Sequence, residues 1–197
     1  MNSRSHRLAV PRRLLAALAI VSLGLMSTAQ ADVVSYVANL DGASEAVPNP
    51  SPGTGFVQVD IDAVAHTMHI LASFSGLTGN VTAAHIHAPT MAAGTGTAGV
   101  ATTTPTFAGF PSGVTAGVYE ITLDMTMASN YNAAYVTANG GTTATAEAAL
   151  FQAIAEGKAY FNIHSSVYGG GEIRGFLTPN SVSTEDSTWG QVKALYR

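Results

Sequence analysis

A mostly β domain with one helix is what this sequence predicts, and three observations carry the expectation. Val, Thr, Ile, Tyr and Phe are frequent, as strands favour. Twenty glycines and eight prolines punctuate them, as short strands joined by turns require. Several segments alternate apolar and polar residues with a period of two, the mark of a half-buried strand. Acidic and basic residues make up only 10% of the 197-residue chain.

The first element is a leader. Arg4, Arg7, Arg12 and Arg13 precede an uncharged apolar run over 14–26, and Ala29-Gln30-Ala31 offers small residues at −3 and −1. That order reads as a secretory signal peptide over 1–31, cleaved after Ala31. The run of about thirteen residues is short for a membrane helix, which needs about twenty. No later stretch is apolar enough to span a bilayer, so no stable membrane span is expected after cleavage. The expected localisation is exported: periplasmic, cell-surface or extracellular.

Beyond Ala31 the chain keeps four cations (Lys158, Arg174, Lys193 and Arg197) against twelve acids, a formal charge of −8. Nucleic-acid binding needs clustered cations to neutralise phosphates, and these four are scattered. There is no cysteine, which removes thiolate catalysis and Cys-type zinc sites. About 145 residues are enough to bury one core without disulfides.

Strands are expected over 33–40, 54–62, 68–75, 81–88, 117–125, 135–138, 158–165 and 172–178. In the third, Met68, Ile70, Ala72 and Phe74 share one face. Turn residues separate the strands, as in Pro48-Asn49-Pro50-Ser51-Pro52-Gly53, and residues 89–117 read as a long Gly/Thr/Ala-rich loop with one weak strand near Val100. The helix is expected over 146–156, capped by Thr145, with Ala149, Leu150, Ala153 and Ile154 on one face and Gly157 as its stop. Residues 32–178 form the domain. Residues 179–197 read as a polar linker and a short amphipathic tail bearing Trp189, Val192 and Leu195.

Three segments in order resemble the chordin-repeat (CHRD) family. Leu40-Asp41-Gly42-Ala43-Ser44-Glu45 with the prolines that follow and Gly53-Thr54-Gly55 resembles its opening. Gly76-Leu77 with Val81-Thr82-Ala83-Ala84-His85-Ile86-His87 is the second. Ala159-Tyr160-Phe161-Asn162-Ile163-His164-Ser165 with Gly171-Glu172-Ile173-Arg174-Gly175 is the third. The resemblance runs from about Val34 to Leu177. It implies a Greek-key or immunoglobulin-like β-sandwich and an exported, non-catalytic binding or structural module. The partner is then an unknown protein or a surface polymer, and no growth-factor partner is carried over.

Five histidines follow the leader: His66, His69, His85, His87 and His164. Residues two apart on a strand share a face, so His85 and His87 project together and Ile86 points away. In the later strand, Tyr160, Asn162 and His164 lie opposite Phe161 and Ile163. Neighbouring strands would bring His85, His87 and His164 to one place, where three imidazoles suit copper or zinc. Asn162 and Glu172 are candidates to orient the rings. A hydrogen-bonded structural cluster with Asn162, Glu172 or Ser165, or a polar ligand pocket, are the other readings. Arg174 would oppose a divalent ion unless Glu172 neutralises it. Otherwise Glu172 and Arg174 read as a surface or inter-strand ion pair. His69 sits on an outer face and His66 in a turn, facing solvent. Asp60 and Asp62 supply too few ligands for calcium. A copper-zinc superoxide dismutase site needs six histidines and an aspartate, more histidines than remain here. No Gly-x-Ser-x-Gly elbow occurs, and no enzyme is expected.

Overall fold

A computed structural model describes residues 33–180. The expected leader and nearly all of the expected tail lie outside the described residues. The strands are β1 (Val34–Asp41), β2 (Thr54–Asp62), β3 (Thr67–Ser75), β4 (Val81–His87), β5 (Gly117–Asp124), β6 (Tyr160–Ser165), β7 (Ile173–Phe176) and β8 (Thr178–Pro179). The helices are α1 (Ala133–Ala138) and α2 (Thr143–Ala155). Among the described residues, no helix is long and apolar enough to cross a membrane.

All strand pairings are antiparallel. The order is β4-β6-β7-β1-β2-β3-β5, with β8 pairing β1. The all-β class with a short helix is therefore as expected. The ladders trace one curled sheet, where a sandwich would divide them into two. Its end strands are tied through the segment before β5: Val81 N donates to Val114 O at 2.8 Å and Gly113 N to Val81 O at 3.0 Å. The late insertion of β6 and β7 between β4 and β1 is the step that builds the site, because it sets the second and third motifs side by side.

Side-chain parity explains which face is the core. Val57, Val59 and Ile61 on β2, Met68, Ile70, Ala72 and Phe74 on β3, Ile86 on β4, and Phe161 and Ile163 on β6 are all buried. Leu150 and Ile154 of α2 close against the same core, as do Phe107 and Phe110 from the long loop. Phe107 stacks on Phe161 at 5.7 Å. Burying apolar area of this kind is the main favourable term in folding.

Three local expectations need correcting. The strand expected over 135–138 is part of α1. Asn132 caps that helix by accepting from Ala134 N at 3.0 Å, and a local cap outweighs the β preference of Tyr and Val. The second helix begins a turn earlier than expected, because Thr142 rather than Thr145 is its N-cap. Its end is at Gly157, whose φ of 66° only glycine adopts freely. Near Val100 there is an isolated bridge to His87 instead of a strand.

Candidate metal centre

The β4–β6 ladder puts His85 opposite Asn162, His87 opposite Tyr160, and His164 opposite Ala83. These side chains share the face away from the core. His85, His87 and His164 converge: one ring nitrogen from each lies within 4.8 Å of the others. His85 Nε2 and His164 Nε2 are 3.0 Å apart. The His85 ring is 4.7 Å, centroid to centroid, from each of the other two. Bonds of about 2.0–2.1 Å to one ion require ligand nitrogens roughly 3.3–3.6 Å apart, which lies between the 3.0 Å His85–His164 contact and the 4.8 Å limit that encloses all three.

The tautomers are set by the backbone. His85 Nδ1 donates to Pro105 O at 3.0 Å, His87 Nδ1 to Ala98 O at 2.8 Å, and His164 Nδ1 to Gly169 O at 3.0 Å. A carbonyl oxygen only accepts, so each Nδ1 carries the hydrogen and each neutral Nε2 carries a lone pair. Two lone pairs therefore face each other across the His85–His164 contact, while His87 Nε2 is buried without a partner. Ring nitrogens held by a bond on the far side are how proteins aim imidazoles at a metal.

Electrostatics keep the rings neutral. Burial, then the charges that His87 and His164 would carry, push His85 down to about 4 against the opposing bond to Pro105. Burial also takes His87 to about 4, against the bond to Ala98 and with help from His164 and Arg174. Burial lowers His164 too. An unfolded histidine titrates near 6.5, so between these values the folded chain binds fewer protons than the unfolded one. The stabilisation that follows is complete above about pH 6.5 and is lost as pH falls through about 4. The melting temperature of metal-free protein should accordingly fall steadily from pH 6.5 to pH 4, with a shallower slope in His85→Gln/His87→Gln. Equal slopes in both proteins would remove the histidines as the cause.

The other expected site residues are placed as follows. Asn162 lies on the shared face between His85 and Arg174, its neighbours in register. Its Oδ1 is buried without a partner. Burial pushes the neighbouring Glu45 carboxyl up to about 7, against the opposing pull of Arg174, the Ala46 amide and the Asn162 side chain. Glu172 is fully buried and accepts from Ser51 Oγ at 2.6 Å, from Thr78 N, and from Gly79 N at 3.2 Å. It ties loops together and orients none of the three imidazoles, whose Nδ1 atoms go to carbonyls. No Glu172–Arg174 ion pair forms. Arg174 lies 3.8 Å from Glu45 instead, and donates to Ser44 O at 2.5 Å and Gly96 O at 3.0 Å.

His69 stands apart, on β3, between Asp60 at 3.4 Å and Glu120 at 3.2 Å. His66 is less free than its turn suggested, since its Nδ1 lies 2.9 Å from Glu147. Asp60 and Asp62 do not converge with Asp41 or Glu45. Asp60 accepts from Ser35 and Gln58, Asp62 caps the turn at Val64 and Ala65, and Asp41 holds Ser44.

Reasoning from residue types missed Glu45, Tyr160 and the three loop carbonyls. Glu45 had a signal, as the acid inside the opening motif. Tyr160 had one as well, in its parity with Asn162 and His164. Its ring stacks on His87 at 4.6 Å and 8°. The carbonyls had none, because every residue carries one.

A family model described as CHRD domain matches residues 36–177. No curated protein and no solved structure matches the chain.

Proposed function

The chain belongs to the CHRD domain family, and from that premise we propose that it is an exported, non-catalytic binding module that holds one copper or zinc ion through His85, His87 and His164. One observation carries the reading: two imidazole lone pairs face each other at 3.0 Å, with a third buried and unpartnered beside them. A structural cluster would need a proton between His85 and His164. Burial holds both rings neutral at pH 7, with repulsion from the other imidazoles added at His85, so that proton is disfavoured and a cation between the rings is favoured. Export is supported by the leader pattern in 1–31 and by the family.

Metal analysis tests this. Untagged protein, loaded and then desalted, should retain one copper or zinc per chain. His164→Ala should retain less than about a tenth of that, since losing one of three ligands lowers affinity at least as far as the roughly 10- to 100-fold seen when a group that only orients a ligand is lost. No metal after loading either ion would leave a structural cluster of histidines and a module of other ligand chemistry.

A further inference from the structure

Resting on the metal-site reading, we infer that the ion is univalent copper: the site prefers Cu(I) to Zn(II) because its ligands are all neutral and a buried guanidinium is stacked behind one of them. The three donors are uncharged imidazoles whose far nitrogens bond to uncharged carbonyls. Carboxylate partners behind the rings would add negative charge, and here there is none. Behind His87 the Tyr160 ring lies nearly parallel at 4.6 Å. Arg174 Cζ lies 4.7 Å from the centroid of that same Tyr160 ring. Arg174 is 5% exposed, so solvent screens it poorly.

Charge then helps to decide between two ions that imidazole can ligate. The desolvation penalty rises with the square of the charge, so a univalent ion pays about a quarter of the divalent one's. Repulsion from Arg174 rises linearly with charge, about half as large for the univalent ion. Glu45, at 3.8 Å from Arg174 Nε, offsets part of this field when ionised, which its burial delays to about pH 7. Glu172 offsets none of it through a direct pair, because its carboxylate is bonded to Ser51, Thr78 and Gly79. A divalent ion would have to bring an anion such as hydroxide into the site; Cu(I) with three nitrogens would not.

Competition titrations separate the ions. Cu(I) is supplied anaerobically with ascorbate and competed with a chromophoric Cu(I) chelator; Zn(II) is competed with a chromophoric zinc chelator. Cu(I) should bind untagged protein at least about 100-fold more tightly than Zn(II). Arg174→Gln should narrow that ratio about tenfold, mainly by strengthening Zn(II). Because Arg174 also bonds two loops, Glu45→Gln is the second variant. At about pH 8.5, where the Glu45 carboxyl, raised by burial to about 7, is ionised, that variant keeps the shape, strips the offsetting charge and should widen the ratio. Zn(II) binding as tightly as Cu(I), or a ratio that does not move in opposite directions in the two variants, overturns the inference while leaving a metal site. Failure of both ions to bind overturns the site itself.

Discussion

Free metal held about a thousandfold above its Kd should raise the melting temperature of this domain by roughly 8–16 °C, and should do nothing to His85→Ala. A ligand that binds only the folded state stabilises it by about 4 kcal/mol when free ligand stands a thousandfold above its Kd. For a domain of this size each kcal/mol moves the midpoint by roughly 2–4 °C. The effect should be large because folding alone assembles the ligands. His85 and His87 come from β4 and His164 from β6, and their Nδ1 atoms are held by a loop and a turn that the unfolded chain does not arrange. Scanning calorimetry with Cu(I) under argon and with Zn(II) in air reads both arms. A shift that persists in His85→Ala would place the binding elsewhere and remove the cluster as its site.

Glu172→Ala should destabilise the domain by about 2–4 kcal/mol, a large part of the roughly 5–15 kcal/mol that holds such a domain folded. The carboxylate is fully buried. It gathers the Ser51 hydroxyl at 2.6 Å, the Thr78 amide, and the Gly79 amide at 3.2 Å. Truncation leaves all three donors without their acceptor and cuts the buried Gly79 amide off from any other; an unmade buried bond costs about 1–3 kcal/mol. Glu172→Gln keeps one acceptor oxygen and should lose about half as much. Burial alone would raise this carboxyl. The hydroxyls of Ser165 and Ser51 and the two amides outweigh it, leaving the pKa below the usual 4.5. Its contribution is therefore complete above that value and is lost as pH falls through the lower folded one. Urea melts should show the midpoint fall in Glu172→Ala at an unchanged slope. A loss under about 1 kcal/mol would show that the three loops hold together without it.

The two predictions concern residues of the second and third family-like segments, yet they were not equally legible. Ile86, Phe161 and Ile163 announce a buried face by alternation. The outward grouping of His85 with His87, and of Tyr160 with Asn162 and His164, follows from the same period of two. Glu172 was misread for the opposite reason. Its spacing from Arg174 suggested a pair, but each charge found a nearer partner from distant sequence: Ser51, Thr78 and Gly79 for one, Glu45 for the other. The helical turn at 133–138 was misread because Tyr135 and Val136 carry β preference, while the Asn132 cap that overrides it is a single side chain.

Alternation along each strand was enough to assign the inner and outer faces, and hence which histidines could ever meet, because side-chain direction is a local property of extended backbone. The order of strands was not local. That β6 lies beside β4, that the Ala98 and Pro105 carbonyls of the long loop stand behind His87 and His85, and that Arg174 lies over Tyr160 all depend on how separate segments pack; only the Gly169 carbonyl behind His164 comes from an adjoining turn. Pairing energies are similar for many strand neighbours, and every residue offers the same carbonyl. Only the packing of the whole domain selects among them, and with them the charge and tautomer of the site.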